Sequence, residues 1–275
     1  MTTQTTTRTT TRTTARAADR GTHATARERS LRTRIARLGP VPLLAALVAV
    51  DLALITASVV RLETAGPSLT DPWLLETDGG WAELAGYVQQ AAIAVLLLAL
   101  CRVTRHLVWV AYAAVYLCAL ADDSLRLHEN KGAWLADRLA AHLWFPSDGF
   151  LGLRADDLGE LMVWGLLAVV PLTAAVVLHR RSDRENRRAS LGMAGLLAAY
   201  VFCGAVLDQV HVLVRDTWIG DVAGTWEDGG EMVVLSVSVV YVLGRVLAAR
   251  RARSDAGGTS LPVPGGAPAG APLAD

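Results

Sequence analysis

A chain of 275 residues with 52% apolar side chains and no net formal charge lacks the composition of a disordered chain or a disulfide-stapled secreted domain. Its basic residues sit in tails and short turns rather than on a binding face, which excludes a nucleic-acid role. Its three cysteines, Cys101, Cys118 and Cys203, lie in or at the edge of apolar blocks, which excludes a Cys-type zinc motif.

Residues 1–38 open with the Thr/Arg-rich run TTQTTTRTTTRTTARAADR. It has almost no side chains to bury and is expected to be a disordered tail. The apolar block after it exceeds a signal-peptide core and no small-x-small cleavage site follows, so it reads as an uncleaved first span. Six blocks have the length that crosses about 30 Å of hydrocarbon at 1.5 Å per residue. They are residues 41–60, 84–101, 107–121, 158–178, 191–214 and 232–249. In lipid each backbone polar group must be bonded within its own segment, so these spans are expected to be helices. Residues 254–275, rich in Gly, Pro and Ala, are expected to form a flexible tail. The expected fold is therefore an all-α, six-helix transmembrane domain over residues 39–253 with disordered termini.

The charges orient it. With six spans, the two tails, the 102–106 turn and the 179–189 loop share one side. They hold 20 of the 26 basic residues: nine, two and five, then four from Arg245 onward. The other side holds Arg61, Arg126, Lys131, Arg138, Arg154 and Arg215, together with 19 of the 26 acids. The positive-inside rule makes the arginine side cytoplasmic, with both termini inside. One Lys among the 26 basic residues, with abundant Ala, Gly and Val, suits a GC-rich bacterial genome and hence a bacterial inner membrane. Trp73, Trp81, Trp134, Trp144, Trp218 and Trp226 all fall in the outer loops, where an indole buries its body and keeps its N–H wet. Between the third and fourth spans, Leu135, Leu139 and Leu143 recur every four residues, the pattern of a short amphipathic helix at the outer interface.

The chemistry-bearing residues gather on that outer side. On the second span Glu83, Tyr87 and Gln90 share a helix face. The third leaves the membrane through ADDSLRLHEN; if it continues as helix, Asp122, Arg126 and Glu129 share a face. The fourth begins DDLGELMVW, with Asp156 and Glu160 one turn apart. On the fifth, Tyr200, Gly204, Asp208 and His211 form one stripe, and Asp208 and His211 can act on the same ligand. The sixth begins WEDGGEMVV. Acids at helix N-termini are favoured by the backbone dipole and by capping, which accounts for Asp156, Asp157, Glu227 and Asp228. Glu160 and Glu231 sit further in. Asp208 lies toward the C-terminal end of its helix, where the dipole disfavours an anion, so it calls for His211, an Arg or a metal as partner.

The cluster admits three functional readings. In the first, His128, His211, Asp208, Glu160, Glu231 and Asp123 ligate a divalent metal, with Glu129 and Glu83 as general bases or supporting groups. Mixed imidazole and carboxylate suits zinc foremost, and iron or manganese next. Zinc lowers its bound water's pKa to about 7, so a hydroxide would form beside the outer leaflet and hydrolyse a lipid or other membrane-embedded substrate. The second is a small proton- or ion-coupled transporter built on Asp51, about 15 Å into the first span. An acid at that depth costs roughly 2.5–3.5 kcal/mol on insertion scales and marks a function. Gln89, Gln90, Tyr112 or Tyr116 would meet it. The third is a non-catalytic membrane scaffold whose acids cap and solubilise.

Overall fold

The computed structural model describes residues 40–66, 70–142, 146, 149–214 and 217–258. The chain folds as helices α1 Val41–Ala65, α2 Trp81–Thr104, α3 Val108–Leu125, α4 Leu127–His142, α5 Ala155–Arg181 and α6 Arg184–Val201. Phe202–Leu207 then forms a π-helical turn leading into α7 Asp208–Val214, and α8 runs Trp218–Gly258. Among the described residues the only β pairing is one isolated bridge, Phe150 with Leu153. Counting α6 through α7 as one, six helices among the described residues are long and apolar enough to cross a membrane, matching the six blocks in the sequence.

Most of these helices outrun their apolar blocks at one end or both. The chain reverses between α2 and α3 at Arg105, which takes a left-handed conformation (φ 63°) and donates its N–H to the Cys101 carbonyl at 2.7 Å. It breaks again at Arg126 (φ 49°), so α3 does not continue into α4. Asp122, Arg126 and Glu129 therefore do not share a helix face.

The core lies in the half of the bundle nearer the arginine-rich turns. Ile93, Leu97 and Leu100 of α2 pack there with Trp109 and Tyr116 of α3, Met193 of α6, and Leu235 and Val242 of α8. Two of its polar tips are satisfied across helices. Trp109 Nε1 donates to Asn186 Oδ1 at 3.0 Å, and Tyr112 Oη donates to the Ser190 carbonyl at 3.0 Å. The peripheral α1 is patterned the other way round. Its only buried residues are Asp51 and Ser58, and most of its apolar side chains face outward, as expected where the surroundings are as apolar as leucine, while Leu47, Leu54 and Ile55 pack inward.

The acidic end departs from the sequence expectation in three places. The turn expected between the fifth and sixth spans is mostly helix: α8 starts at Trp218, so Glu227 and Asp228 lie about three turns inside it. The capping account of those two acids is withdrawn. The fifth span is not one uninterrupted α-helix, because the π turn at residues 202–207 inserts an extra residue and rotates the helix beyond it. The helix expected within residues 131–145, between the third and fourth spans, is α4, which starts four residues earlier and is pressed onto α5 through Gly132 and Gly159. A Cβ on Gly159 would overlap the Gly132 carbonyl oxygen, and one on Gly132 would lie 2.8 Å from the Glu160 backbone nitrogen. At the C-terminus, α8 extends to Gly258, five residues beyond the expected boundary at 253. The predicted N-terminal tail, residues 259–275, Leu143, Trp144 and Arg215 lie outside the described residues.

Candidate functional site

The acidic ends of α2, α3, α5 and α8, together with α4, α7 and the 71–80 segment, surround a cavity of about 430 Å³. Glu76 and Asp78 reach it from the 71–80 segment, Glu83 from α2, Asp123 from α3, Glu129 from α4 and Glu160 from α5. Asp208 reaches it from α7, and Glu227, Asp228 and Glu231 from α8. These ten carboxylates share the wall with two imidazoles, His128 and His211, and no Arg or Lys lines it among the described residues. Its floor is Gln90 of α2 and Leu235 of α8.

The eight residues singled out from sequence, His128, His211, Asp208, Glu160, Glu231, Asp123, Glu129 and Glu83, all line this one cavity. Among the described residues, however, no three His, Cys, Asp or Glu side chains stand close enough to hold one metal ion. Shared walls and a formed coordination sphere are different things.

Each imidazole is oriented by a carboxylate that the sequence did not pair with it. His128 follows the break at Arg126, and that break folds it back on the last turn of α3. There Asp122 accepts both the His128 backbone N–H at 2.9 Å and Nδ1 at 3.0 Å. This arrangement places the proton on Nδ1 and leaves Nε2 free, 4.0 Å from Glu129 Oε1. Burial favours the neutral ring, but the hydrogen bond and charge of Asp122, with Glu129 and Glu160 behind it, outweigh burial and hold the His128 pKa above its usual value. The ring edge meets Trp164 of α5 at 5.2 Å between centroids. His211 Nδ1 lies 3.1 Å from Glu227 Oε2. Its expected partner Asp208 instead accepts from the Gln209 side chain at 2.8 Å.

Other acids are committed to the scaffold. Glu83 accepts from the Gly79 N–H and from Tyr87 Oη, tying the 71–80 segment to α2. Asp123 Oδ2 accepts from Gln90 Nε2 at 2.6 Å and Tyr200 Oη at 3.3 Å, which fixes α3 to α2 and α6. The nearby guanidinium groups turn away: Arg126 pairs with Asp78, and Arg154 Nη2 pairs with Asp157 at 2.6 Å. Glu160, Asp228 and Glu231 have no hydrogen bond or salt bridge among the described residues, and neither does the buried Oε1 of Gln90. Gly204 on the π turn admits Glu231, since a Cβ there would overlap its Oε1.

Sequence reasoning missed Asp122 and Glu227 as orienting groups, and it did not single out Glu76 or Asp78. The sequence offers only an acid six residues before a histidine; the helix break at Arg126 that joins them is a structural finding. Asp51 is fully buried and lines none of the cavities described. Its Oδ1 accepts from Gln89 Nε2 at 3.1 Å and its Oδ2 from Ser236 Oγ at 2.6 Å, a polar knot joining α1, α2 and α8. Of its four expected neighbours only Gln89 meets it; Gln90 is held by Asp123 and Tyr200.

Fold and site together define a multi-pass α-helical membrane protein with an acid-lined cavity at one end. Within that class the chain belongs to the family described as Domain of unknown function (DUF8692), whose model matches residues 41–245, from α1 through most of α8. Neither the curated proteins nor the solved structures contain a match to the chain.

Proposed function

We propose that the cavity is a divalent-cation site on the outer face of a bacterial inner membrane, where bound zinc promotes hydrolysis of a membrane-embedded substrate. Iron or manganese would suit the same donors less well. The observation that carries this reading is the imbalance of the lining: ten carboxylates and two carboxylate-oriented imidazoles, with no arginine or lysine among them. A carboxylate taken from water without a partner costs several kcal/mol, so such a wall calls for a counter-charge from outside the chain. An imidazole whose Nδ1 is held by a carboxylate presents Nε2 as a metal ligand, the arrangement recurrent around zinc.

His128 and His211 supply the nitrogen ligands in this reading, and Glu160, Glu231, Asp208 and Asp123 are the carboxylates available to complete the set. Asp123 has one oxygen committed to Gln90 and Tyr200. A divalent ion held there would supply a hydroxide at neutral pH, and as water adds across the scissile bond the leaving group would take the remaining proton. Glu129, beside His128, is placed to carry that proton. Glu83, held by Gly79 and Tyr87, supports the wall. The arginine-rich turns and both termini face the cytoplasm.

The test is metal content of the full chain purified in detergent and incubated with zinc. About one tightly held zinc per chain, lost in His128→Ala and His211→Ala but kept in Glu63→Gln at the exposed end of α1, is the expected result. Zinc binding that is weak, or indifferent to both histidines, overturns the proposal.

A further inference from the structure

A second cavity, of about 120 Å³, lies between α3, α5 and α6, and it is apolar where the first is acidic. Its sides are Cys118 and Ala119 of α3, Leu167 and Ala168 of α5, and Leu197 and Val201 of α6. All six belong to membrane-spanning segments. The slot exists because α5 leans on α3 and α4 and scarcely meets α6, although only Ser182 and Asp183 separate the two helices in sequence.

The two cavities share a wall. Asp123, Trp164, Gly204 and Glu231 line both. Trp164 adds a second observation at that junction. Its buried Nε1 has no hydrogen-bond partner among the described residues, and an unsatisfied buried donor costs about 1–3 kcal/mol. An apolar slot at membrane depth, a lone donor at its end and an acidic chamber beyond it match the parts of an acyl lipid in order: chain, carbonyl, head.

We infer that the slot between α3, α5 and α6 holds the alkyl chain of an acyl ester or amide lipid entering sideways from the bilayer, with its carbonyl at Trp164 and its head in the acidic cavity. The inference rests on the reading of that cavity as the place where a membrane-embedded substrate is held, and it names the substrate class. Ala119 and Ala168 line the slot and not the acidic cavity, so filling them blocks the chain without touching a proposed ligand.

The experiment reconstitutes the full chain in phosphatidylcholine vesicles doped with a phospholipid carrying a diazirine on one acyl chain. Cross-linked peptides are mapped by mass spectrometry after illumination. Labelling concentrated on the peptides of α3, α5 and α6 that carry the slot residues is expected. It should fall at least fivefold in Ala168→Phe and in the milder Ala119→Leu, with zinc content unchanged in both. Labelling spread evenly around the bundle, or left intact by both substitutions, overturns the inference. Slot labelling in a chain that binds no zinc would support the lipid site while removing the metal, so the two readings fail separately. Size-exclusion profiles identify a variant that has merely unfolded, and the other variant then decides.

Discussion

Gly159→Ala probes the contact that holds α4, and with it His128 and Glu129, over the cavity. The added Cβ would overlap the Gly132 carbonyl oxygen and stand 2.7 Å from the Gly132 carbonyl carbon and 3.1 Å from its Cα. Carbon atoms prefer about 3.5–4.0 Å, so α4 must retreat by several tenths of an ångström to about 1 Å. All three obstructing atoms are backbone, and no change of rotamer relieves them. Overpacking costs about 1–3 kcal/mol, and this site belongs at the upper end. Alanine's better helix propensity offsets about 1 kcal/mol, leaving a net loss of about 2 kcal/mol. Gly165, two turns further along α5, is the control: nothing lies within 4 Å of its added Cβ, so Gly165→Ala should be neutral or stabilise by up to about 1 kcal/mol. For a domain of this size about 1 kcal/mol moves the melting temperature by roughly 2–4 °C. Thermal unfolding in detergent should therefore place Gly159→Ala about 4–8 °C below the parent and Gly165→Ala at or slightly above it. Coincident melting curves for the two variants would show that the Gly132–Gly159 approach does not fix α4.

Asp183 caps α6, accepting from the Asn186 N–H at 2.8 Å, and it pairs with His106 Nε2 at 2.8 Å. Asp183→Ala should cost about 1 kcal/mol, read as a lowered melting temperature at neutral pH. The Asn186 backbone N–H, with the Asn186 side chain and His106 adding to it, holds the Asp183 carboxyl below its ordinary range. A depressed carboxylate stabilises fully above its unfolded pKa of about 3.9 and loses that contribution as pH falls through the folded value. Parent and Asp183→Ala should thus differ at pH 6 and draw together as the pH falls below the unfolded value; a constant gap rejects the cap. At Asp51, Asn keeps an acceptor for the knot whereas Leu strands the Ser236 hydroxyl proton and leaves Gln89 Nε2 with Ser236 Oγ alone, so Asp51→Leu should be destabilised by about 1–3 kcal/mol more than Asp51→Asn. Equal stability of the two would remove the knot's structural role, and proton flux abolished in Asp51→Asn vesicles would favour a carrier instead.

The spans were legible because lipid imposes a coarse rule on the sequence: blocks of about twenty apolar residues, with arginine held to one side. The same rule placed all eight candidate residues at one end. It said little about who pairs with whom. WIGDVAGTWEDGGE carries four glycines and reads as a turn, yet it forms the first part of α8. In a bundle those glycines serve close approach. A Cβ on Gly224 would lie 2.9 Å from His211 Cε1, one on Gly229 2.9 Å from Ile55 Cδ1, and one on Gly230 2.8 Å from Cys203 Sγ. Tertiary contact thus outweighs a propensity cost of about 1 kcal/mol per glycine. The π turn was likewise invisible, because nothing in FCGAVL announces an inserted residue. It separates Tyr200 and the Gly204 stripe from Asp208 and His211, and His211 pairs with Glu227 rather than with Asp208. The link between His128 and Asp122 depends on the left-handed residue at Arg126, a conformation that an arginine does not advertise.

The disposition of charge also bears on what the cavity is for. A chain selected for stability alone had remedies at hand, since Arg126 and Arg154 stand at the cavity's edge. Both are instead committed to carboxylates outside the central group, Arg126 to Asp78 at the rim and Arg154 to the capping Asp157. Most of the remaining basic residues lie at the opposite end of the bundle or in the tails. Glu160, Asp228 and Glu231 are left lining the same cavity of about 430 Å³. Like charges gathered in a partly dehydrated pocket oppose folding, and helix capping does not explain acids three turns inside α8. The exposed acids of a scaffold would sit singly in solvent, where they cost little. Gathered here with two imidazoles that carboxylates already hold in orientation, they line one cavity, and the zinc-content test above decides whether a cation balances them.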